Sequence, residues 1–111
     1  MTIFEKIINK EISAHIIYED EDFIAFNDNN PLAPVHILVI PKMRSEDVQD
    51  ITSYDLSKLQ NLFEIIKNIA IKYGVDKTGY RILTNVGDDA GQTIKHMHFH
   101  ILGGKKLGKP C

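Results

Sequence analysis

The sequence has a single cysteine, at position 111, and no tryptophan. One cysteine cannot form an internal disulfide, so we expect a reducing, cytoplasmic compartment. Basic residues do not outnumber acidic ones, because 13 Lys and Arg stand against 15 Asp and Glu, for a formal net charge of -2. Proteins held to nucleic acid by charge normally carry a basic excess, so that class is not expected here.

Long apolar runs are also missing. The longest, residues 37–40, falls far short of the roughly 18 residues that a membrane span needs. Residues 1–6 carry charge too early for a secretory signal, so neither a membrane nor a secreted protein is expected. Core-forming residues are present in ordinary amounts, since 43% of the 111 residues are hydrophobic. This composition suits one domain over residues 1–111.

The first half of the sequence alternates between short apolar runs and turn residues. Thr2 and Glu5 have capping-box spacing, which predicts a short helix over residues 2–10. Runs rich in β-branched and aromatic residues predict three strands, over residues 15–20, 23–28 and 35–40. Residues 45–51 are expected to form a short helical or irregular link.

A spacing of three and four residues then predicts one long helix, from about residue 52 to a C-cap at Gly74. Its apolar stripe is expected to face the core and consists of Leu56, Leu59, Leu62, Phe63, Ile66, Ile69 and Tyr73. Two further strands are predicted over residues 79–86 and 95–102, followed by a loosely held tail over 105–111. This order of elements predicts an α+β domain with a mostly antiparallel sheet.

Three of the five histidines alternate within the last predicted strand, at His96, His98 and His100. Because side chains alternate across a strand, all three imidazoles leave one face, and the apolar residues between them leave the other. An imidazole with an ordinary pKa near 6.5 is mostly neutral at neutral pH, and its free nitrogen can attack phosphorus. The central His98 is therefore the expected nucleophile.

Metal binding is an alternative use of the same row, since histidine is the commonest transition-metal ligand. Residues four apart on a strand are separated by roughly 13 Å, too far for all three imidazoles to converge on one ion. Two of the three together with His36 remain a possible ligand set. The sequence leaves this alternative open but favours covalent catalysis, without metal or cofactor.

The segment over residues 96–102 resembles the histidine-triad signature of the HIT superfamily of nucleotide hydrolases and transferases. The resemblance extends over nearly the whole chain, notably at residues 25–28, 33–36 and 91–93, and is to the Hint branch of purine-nucleoside phosphoramidases. It implies the HIT fold, with a five-stranded antiparallel sheet, one short helix and one long helix. It also implies a homodimer made by helix packing and by joined sheets.

The resemblance assigns roles to the histidines. His98 matches the nucleophile that takes the nucleotidyl group. His96 and His100 match the flanking histidines, which orient the nucleophile and contact the phosphate. His36 matches a fourth histidine that sits behind the triad.

The remaining matches are polar residues and a glycine of the nucleotide site. Asp28 matches the acid that accepts hydrogen bonds from the ribose hydroxyls, and Asn85 matches a polar contact near phosphate and ribose. Gly91 and Gln92 fall in the loop whose backbone N–H groups approach the phosphate. Thr93 replaces a serine that helps to protonate the departing amine.

The implied activity is hydrolysis of a nucleoside 5′-monophosphate joined through phosphorus to an amine or acyl group, with a purine nucleotide as substrate. Two alternatives remain, a dinucleoside polyphosphate hydrolase of the Fhit type and a nucleotide-binding regulatory module. Thr2 and Glu5 stand where some bacterial members carry zinc-binding cysteines, so no structural zinc is expected. Asn29 replaces a usually apolar residue of the nucleoside pocket.

Overall fold

The computed structural model describes residues 1–109, so Cys111 and the very end of the predicted tail lie outside the described residues. The helices are α1 (Ile3–Ile8), α2 (Leu56–Lys72) and α3 (Val75–Thr78). The strands are β1 (Ile16–Glu19), β2 (Phe23–Asn27), β3 (Val35–Pro41), β4 (Tyr80–Leu83) and β5 (Phe99–Gly103). They form one five-stranded sheet in the order β1-β2-β3-β5-β4.

Every strand pair in the sheet is antiparallel, which confirms the predicted α+β architecture. The link before α2 is a 3-10 helix, Val48–Ser53, and a second 3-10 turn covers Asp88–Ala90. The four-residue helix α3 was not predicted. Within residues 1–109 no helix combines the length and the apolar character needed to cross a bilayer.

The sheet is covered on both faces, which explains the continuous apolar runs in β2 and β3. Helix α2 covers one face, where Ile37, Val39 and Ile101 pack against Leu62 and Ile66. On the other face, α1 contributes Phe4 and Ile7 to a second cluster, completed by Ile24, Phe26, Leu38 and Ile40. The two sets alternate along each strand, so the pleat separates the two clusters.

The apolar stripe predicted for α2 is only partly correct. Leu62, Ile66 and Ile69 are buried as expected, but Leu56 is 83% exposed and Phe63 is 54% exposed. Ile65 and Ala70 occupy the buried face instead. Successive helical residues are about 100° apart, so a stripe centred on 62, 66 and 69 turns Phe63 outward. The helix begins at Leu56 after Asp55, and ends where Gly74 adopts a left-handed φ of 76°.

Helix α1 has the predicted capping box at its start. The Thr2 hydroxyl accepts a hydrogen bond from the Glu5 N–H at 3.2 Å, and the Glu5 carboxylate accepts one from the Thr2 N–H at 2.8 Å. These bonds pair backbone donors that a helix start leaves free, and the bond from the Thr2 N–H is the main cause of the lowered pKa of Glu5. The helix then holds Phe4 against the face of the sheet that carries the histidines.

The last two strands are shorter than predicted. Strand β4 ends at Leu83 rather than at residue 86, and β5 begins at Phe99 rather than at residue 95. Pairing between β3 and β5 stops at Val39↔Phe99. On the N-terminal side of Phe99, hydrogen bonds from side chains replace those between strand backbones. The Thr84 hydroxyl, for example, donates to the His98 carbonyl at 2.7 Å. Two of the three histidines therefore lie in an irregular segment just before β5.

Candidate active site

A cavity of about 250 Å³ opens on the sheet face covered by α1. One wall is apolar and includes Phe4, Ile7, Phe26 and Leu38. The polar lining consists of Asn27, Asp28, Asn29, Asn30, Thr93, His98 and His100. A larger hollow, of about 510 Å³, lies beside Gly74, Gly79 and Gly104, and neither a histidine nor an acid lines it. Convergent titratable groups single out the first cavity as the candidate site.

His98 is held in one tautomer by the backbone. Its Nδ1 lies 2.7 Å from the carbonyl oxygen of His96, and a carbonyl can only accept, so Nδ1 carries the proton. The lone pair of the neutral ring is therefore on Nε2, which has no hydrogen-bond partner among residues 1–109. The Phe4 ring packs against the imidazole at a centroid distance of 5.0 Å and an angle of 73°. The ring is thus oriented from two sides, with a nucleophilic nitrogen available.

A hydrogen-bonded chain fixes the tautomer of His100. The Leu32 N–H donates to Nδ1 of His36 at 3.0 Å, so the proton of neutral His36 is on Nε2. This Nε2 lies 2.9 Å from Nδ1 of His100 and donates to it. The proton of His100 is therefore on Nε2, which is buried without a hydrogen-bond partner among the described residues. His36 thus sits behind His100 and makes its Nε2–H a donor without an acceptor.

His96 is placed differently from its expected role. Its side chain is 0% exposed, and its Nε2 donates to the Pro41 carbonyl at 2.8 Å. Its Nδ1 is buried without a partner among residues 1–109. The ring therefore does not line the cavity, and what His96 supplies to His98 is its backbone carbonyl. The predicted phosphate contact would need this ring to leave its buried position.

Burial favours the uncharged form of three histidines, His36, His96 and His100. Desolvation lowers the pKa of His96, and it lowers the pKa of His36 against the opposing pull of the Asp28 carboxylate. The pKa of His100 is lowered to about 4, first by desolvation and then by repulsion from His98 and His36. Neutral rings in fixed tautomers can donate and accept hydrogen bonds in known directions.

Two other predicted residues reach the cavity. Asp28 follows β2 and accepts a hydrogen bond from the Asn30 N–H at 2.8 Å, so it caps the turn. Its second carboxylate oxygen lies 3.5 Å from Nε2 of His36 and keeps further acceptor capacity. Thr93 is exposed at the cavity rim beside His98 and His100. Asn29, which departs from the usual apolar residue, also lines the cavity.

Three predicted residues do not line the cavity, as far as residues 1–109 show. Asn85 lies past the end of β4. The N–H of Gly91 donates to the Asp88 carbonyl at 3.0 Å, and the N–H of Gln92 donates to the Gly87 carbonyl at 3.1 Å. Both N–H groups on which the predicted phosphate contact depends are thus used inside the loop.

The metal alternative meets an obstacle in the tautomers. Asp28, His36 and His100 each offer a ligand atom, and these atoms lie within 4.8 Å of one another. However, Nδ1 of His36 accepts the Leu32 N–H, which leaves the proton of the neutral ring on Nε2. A metal-bound histidine normally donates from its other nitrogen, so the arrangement is opposite to the one that ligation favours. The three residues fit a hydrogen-bonded chain better than an ion.

Sequence reasoning missed the backbone groups that orient these rings. The Leu32 N–H and the Pro41 carbonyl belong to segments distant in sequence from the histidine row, and no side-chain pattern marks them. The contact of Phe4 with His98 was also missed, although its signal was available. Phe4 falls on the buried side of a helix whose capping box was recognised.

We expect stability to fall as the pH is lowered from about 6.5 to about 4.5, because a histidine with a depressed pKa in the folded state binds more protons when unfolded. His36 and His96 act in the same direction. Urea unfolding at several pH values gives the slope of the free energy of unfolding against pH. His100→Asn should reduce this slope, and a control substitution at an exposed residue that does not titrate, Gln49→Ala, should not. A slope equal in His100→Asn and wild type would contradict the assignment.

Comparison with known proteins identifies the family of this chain. The HIT domain profile matches residues 9–107. An uncharacterized HIT-like protein from Rickettsia prowazekii is 51% identical over 106 residues, covering 95% of this chain and 88% of its own length. A similar protein from Helicobacter pylori is 46% identical over 107 residues, covering 96% of this chain and 99% of its own.

Two solved structures match nearly the whole of this chain. A HIT family hydrolase from Legionella pneumophila has a TM-score of 0.93 and 36% identity, covering 99% of this chain and 98% of its own. A histidine triad nucleotide-binding protein from Candida albicans has a TM-score of 0.83 and 28% identity, covering 100% of this chain and 84% of its own. The sequence match and the five-stranded sheet lead to one conclusion: the chain has the HIT fold and belongs to the HIT family.

Proposed function

We propose that this protein is a nucleotide hydrolase that cleaves nucleoside 5′-monophosphates joined through phosphorus to an amine or acyl group, with a covalent nucleotidyl-His98 intermediate. The observation that carries the proposal is the tautomer of His98. Its Nδ1–H is held by the His96 carbonyl, so the lone pair on Nε2 can act as a nucleophile, and His98 lines a cavity with one apolar wall and a polar lining that includes Asp28 and His100. The family relationship and the relatives described as hydrolases and nucleotide-binding proteins support the same chemistry.

The reaction proceeds in two steps. Nε2 of His98 forms a bond to phosphorus while the bond from phosphorus to the leaving group breaks. A departing amine takes a proton from water, with the Thr93 hydroxyl at the cavity rim donating a hydrogen bond to its nitrogen. Water then attacks the same phosphorus and gives a proton to the hydroxide left by the first step, the His98–phosphorus bond breaks, and the nucleoside monophosphate is released. Dividing the reaction lowers each barrier.

The donor left open in the structure suits the charge that develops on the phosphoryl group. Nε2–H of His100 is buried and has no hydrogen-bond partner among residues 1–109, and His100 lines the cavity together with His98. A fixed donor aimed at developing charge lowers the barrier without reorganisation. Asp28 keeps acceptor capacity for ribose hydroxyls, and the apolar wall with Phe4 and Ile7 suits a purine ring.

Replacing the nucleophile tests the covalent step. His98→Ala should lower turnover of adenosine 5′-phosphoramidate by about a thousandfold or more, because the two-step route is lost. Binding of AMP should persist, and the nucleotidyl adduct that we expect to detect in wild type by intact-protein mass spectrometry should be absent. Gln49→Ala, at an exposed position outside the cavity, is the control. Near-normal turnover by His98→Ala would contradict the mechanism.

A comparison of two substrates tests the reaction class. Adenosine 5′-phosphoramidate and diadenosine triphosphate should be supplied at equal concentrations and their kcat/KM values compared. We expect the phosphoramidate to be preferred by about tenfold or more, because a departing amine needs a proton whereas a departing nucleotide is a stable anion. Thr93→Val should lower kcat/KM more for the phosphoramidate than for diadenosine triphosphate.

The other outcomes of this comparison point elsewhere. Preference for diadenosine triphosphate would assign the protein to the Fhit type of hydrolase. Absence of turnover with both substrates, with AMP still bound, would favour a nucleotide-binding module.

We also infer that the active form is a homodimer. Leu56, Phe63 and Ile71 form an exposed apolar band on the outer side of α2, and each is more than half exposed. Strand β4 is an edge strand of the sheet, and Ile82 on it is 40% exposed. An apolar helix face and an unpaired strand edge are the two surfaces through which a second copy would extend the sheet.

Phe63→Glu tests the dimer. A charge in the centre of the apolar band should shift the protein from dimer to monomer, because burying an unpaired carboxylate is costly. Sedimentation equilibrium over a range of concentrations measures the shift, and Gln49→Glu, at an exposed position of the 3-10 helix before α2, is the control. A monomer in wild type, or an unchanged dimer in Phe63→Glu, would contradict this interface.

A further inference from the structure

Gln92 is an unusual residue of the loop beside the active site, because its polar side chain is only 4% exposed. Its Oε1 accepts a hydrogen bond from the Gly87 N–H at 2.9 Å. Its Nε2 donates to the Glu46 carbonyl at 2.7 Å and to the Ile94 carbonyl at 3.1 Å. Both amide protons and one oxygen lone pair are therefore used, all by backbone groups.

These bonds join three segments. Gly87 opens the loop and residue 94 closes it, so the side chain spans the loop from start to end. The third segment surrounds Glu46, and its neighbour Ser45 accepts a hydrogen bond from the Met97 N–H at 2.6 Å. Gln92 thus fastens the loop to the same segment that holds the histidine row.

The next residue along the chain faces the opposite way. Thr93 is exposed and lines the cavity with His98 and His100, whereas Gln92 is buried behind the loop. A bond that holds Gln92 from behind therefore limits where the Thr93 hydroxyl can lie. We propose that Gln92 is a positioning residue. Its side chain joins residues 46, 87 and 94 by hydrogen bonds and thereby orients the Thr93 hydroxyl toward the leaving group.

This proposal rests on the proposed function and differs from a direct contact of Gln92 with the phosphate. A direct contact would require the side chain to leave its three partners, which would leave the Gly87 N–H and two carbonyl groups unpaired. The positioning role needs no such rearrangement. The two roles make different predictions for ligand binding and for the dependence of rate on the leaving group.

The experiment compares two adenosine 5′-phosphoramidates, one of an alkyl amine and one of an aromatic amine. In Gln92→Ala we expect kcat to fall by about tenfold or more for the alkyl amine, because small misplacements of a catalytic group are costly. For the aromatic amine, which needs less assistance from a proton donor to leave, kcat should fall by less than about threefold. The Kd for AMP should stay within about threefold of wild type, and the exposed Gln49→Ala is the control.

Gln92→Glu supplies a second variant and a pH readout. Its carboxylate keeps the acceptor for the Gly87 N–H but faces the Glu46 and Ile94 carbonyls, so only the protonated form can donate to one of them. Its activity relative to Gln92→Ala should therefore rise as the pH falls from about 8 to about 6. The titratable side chains of the joined segments, Glu46, Asp88, Asp89 and Lys95, are the same in both variants, so the ratio cancels them.

Each outcome decides between roles. If Gln92→Ala lowered kcat equally for both substrates and weakened AMP binding by about tenfold, the positioning role would be overturned in favour of a direct phosphate contact. Kinetics of Gln92→Ala equal to those of Gln49→Ala, or unchanged hydrogen exchange at the Gly87 N–H, would also overturn it. Lack of turnover in wild type would instead contradict the proposed function, because the failure would appear before any substitution.

Discussion

The hydrogen bond from Nδ1 of His98 to the His96 carbonyl is the interaction on which the site depends. It decides which nitrogen of the central ring carries a lone pair, and hence whether the ring can act as a nucleophile. The bond spans only two residues, so it needs no partner from a distant element. Its one requirement is that the His96 carbonyl is not claimed by a neighbouring strand.

The irregular segment before β5 meets that requirement. If β5 began at residue 95, as the alternation suggested, backbone groups near His96 would be committed to the ladder with β3. Instead pairing stops at Phe99, and the His96 ring donates to the Pro41 carbonyl across the gap. The Met97 N–H donates a hydrogen bond to the Ser45 carbonyl. Side-chain and loop bonds thus replace strand pairing, and they free one carbonyl for His98.

Much of this arrangement was predictable from local pattern, and the remainder was not. Alternation placed His98 and His100 on one face, and the capping box located α1, because both depend on residues close in sequence. The burial of His96 depends on Pro41, and that of Gln92 on Glu46, partners more than 40 residues away. The outward turn of Phe63 reflects which side of α2 meets the sheet. Such facts arise from packing between distant segments, where sequence spacing carries no information.

The same backbone control extends to His100 and fixes its tautomer. Burial lowers the pKa of His36, His96 and His100, which favours rings that are uncharged. Uncharged imidazoles have two tautomers, and a site with unfixed tautomers would present donors and acceptors at random. The Leu32 N–H removes that freedom for His36 and, through it, for His100. A small domain thereby obtains one oriented nucleophile and one oriented donor from backbone groups, without burying a charge whose desolvation it would have to offset.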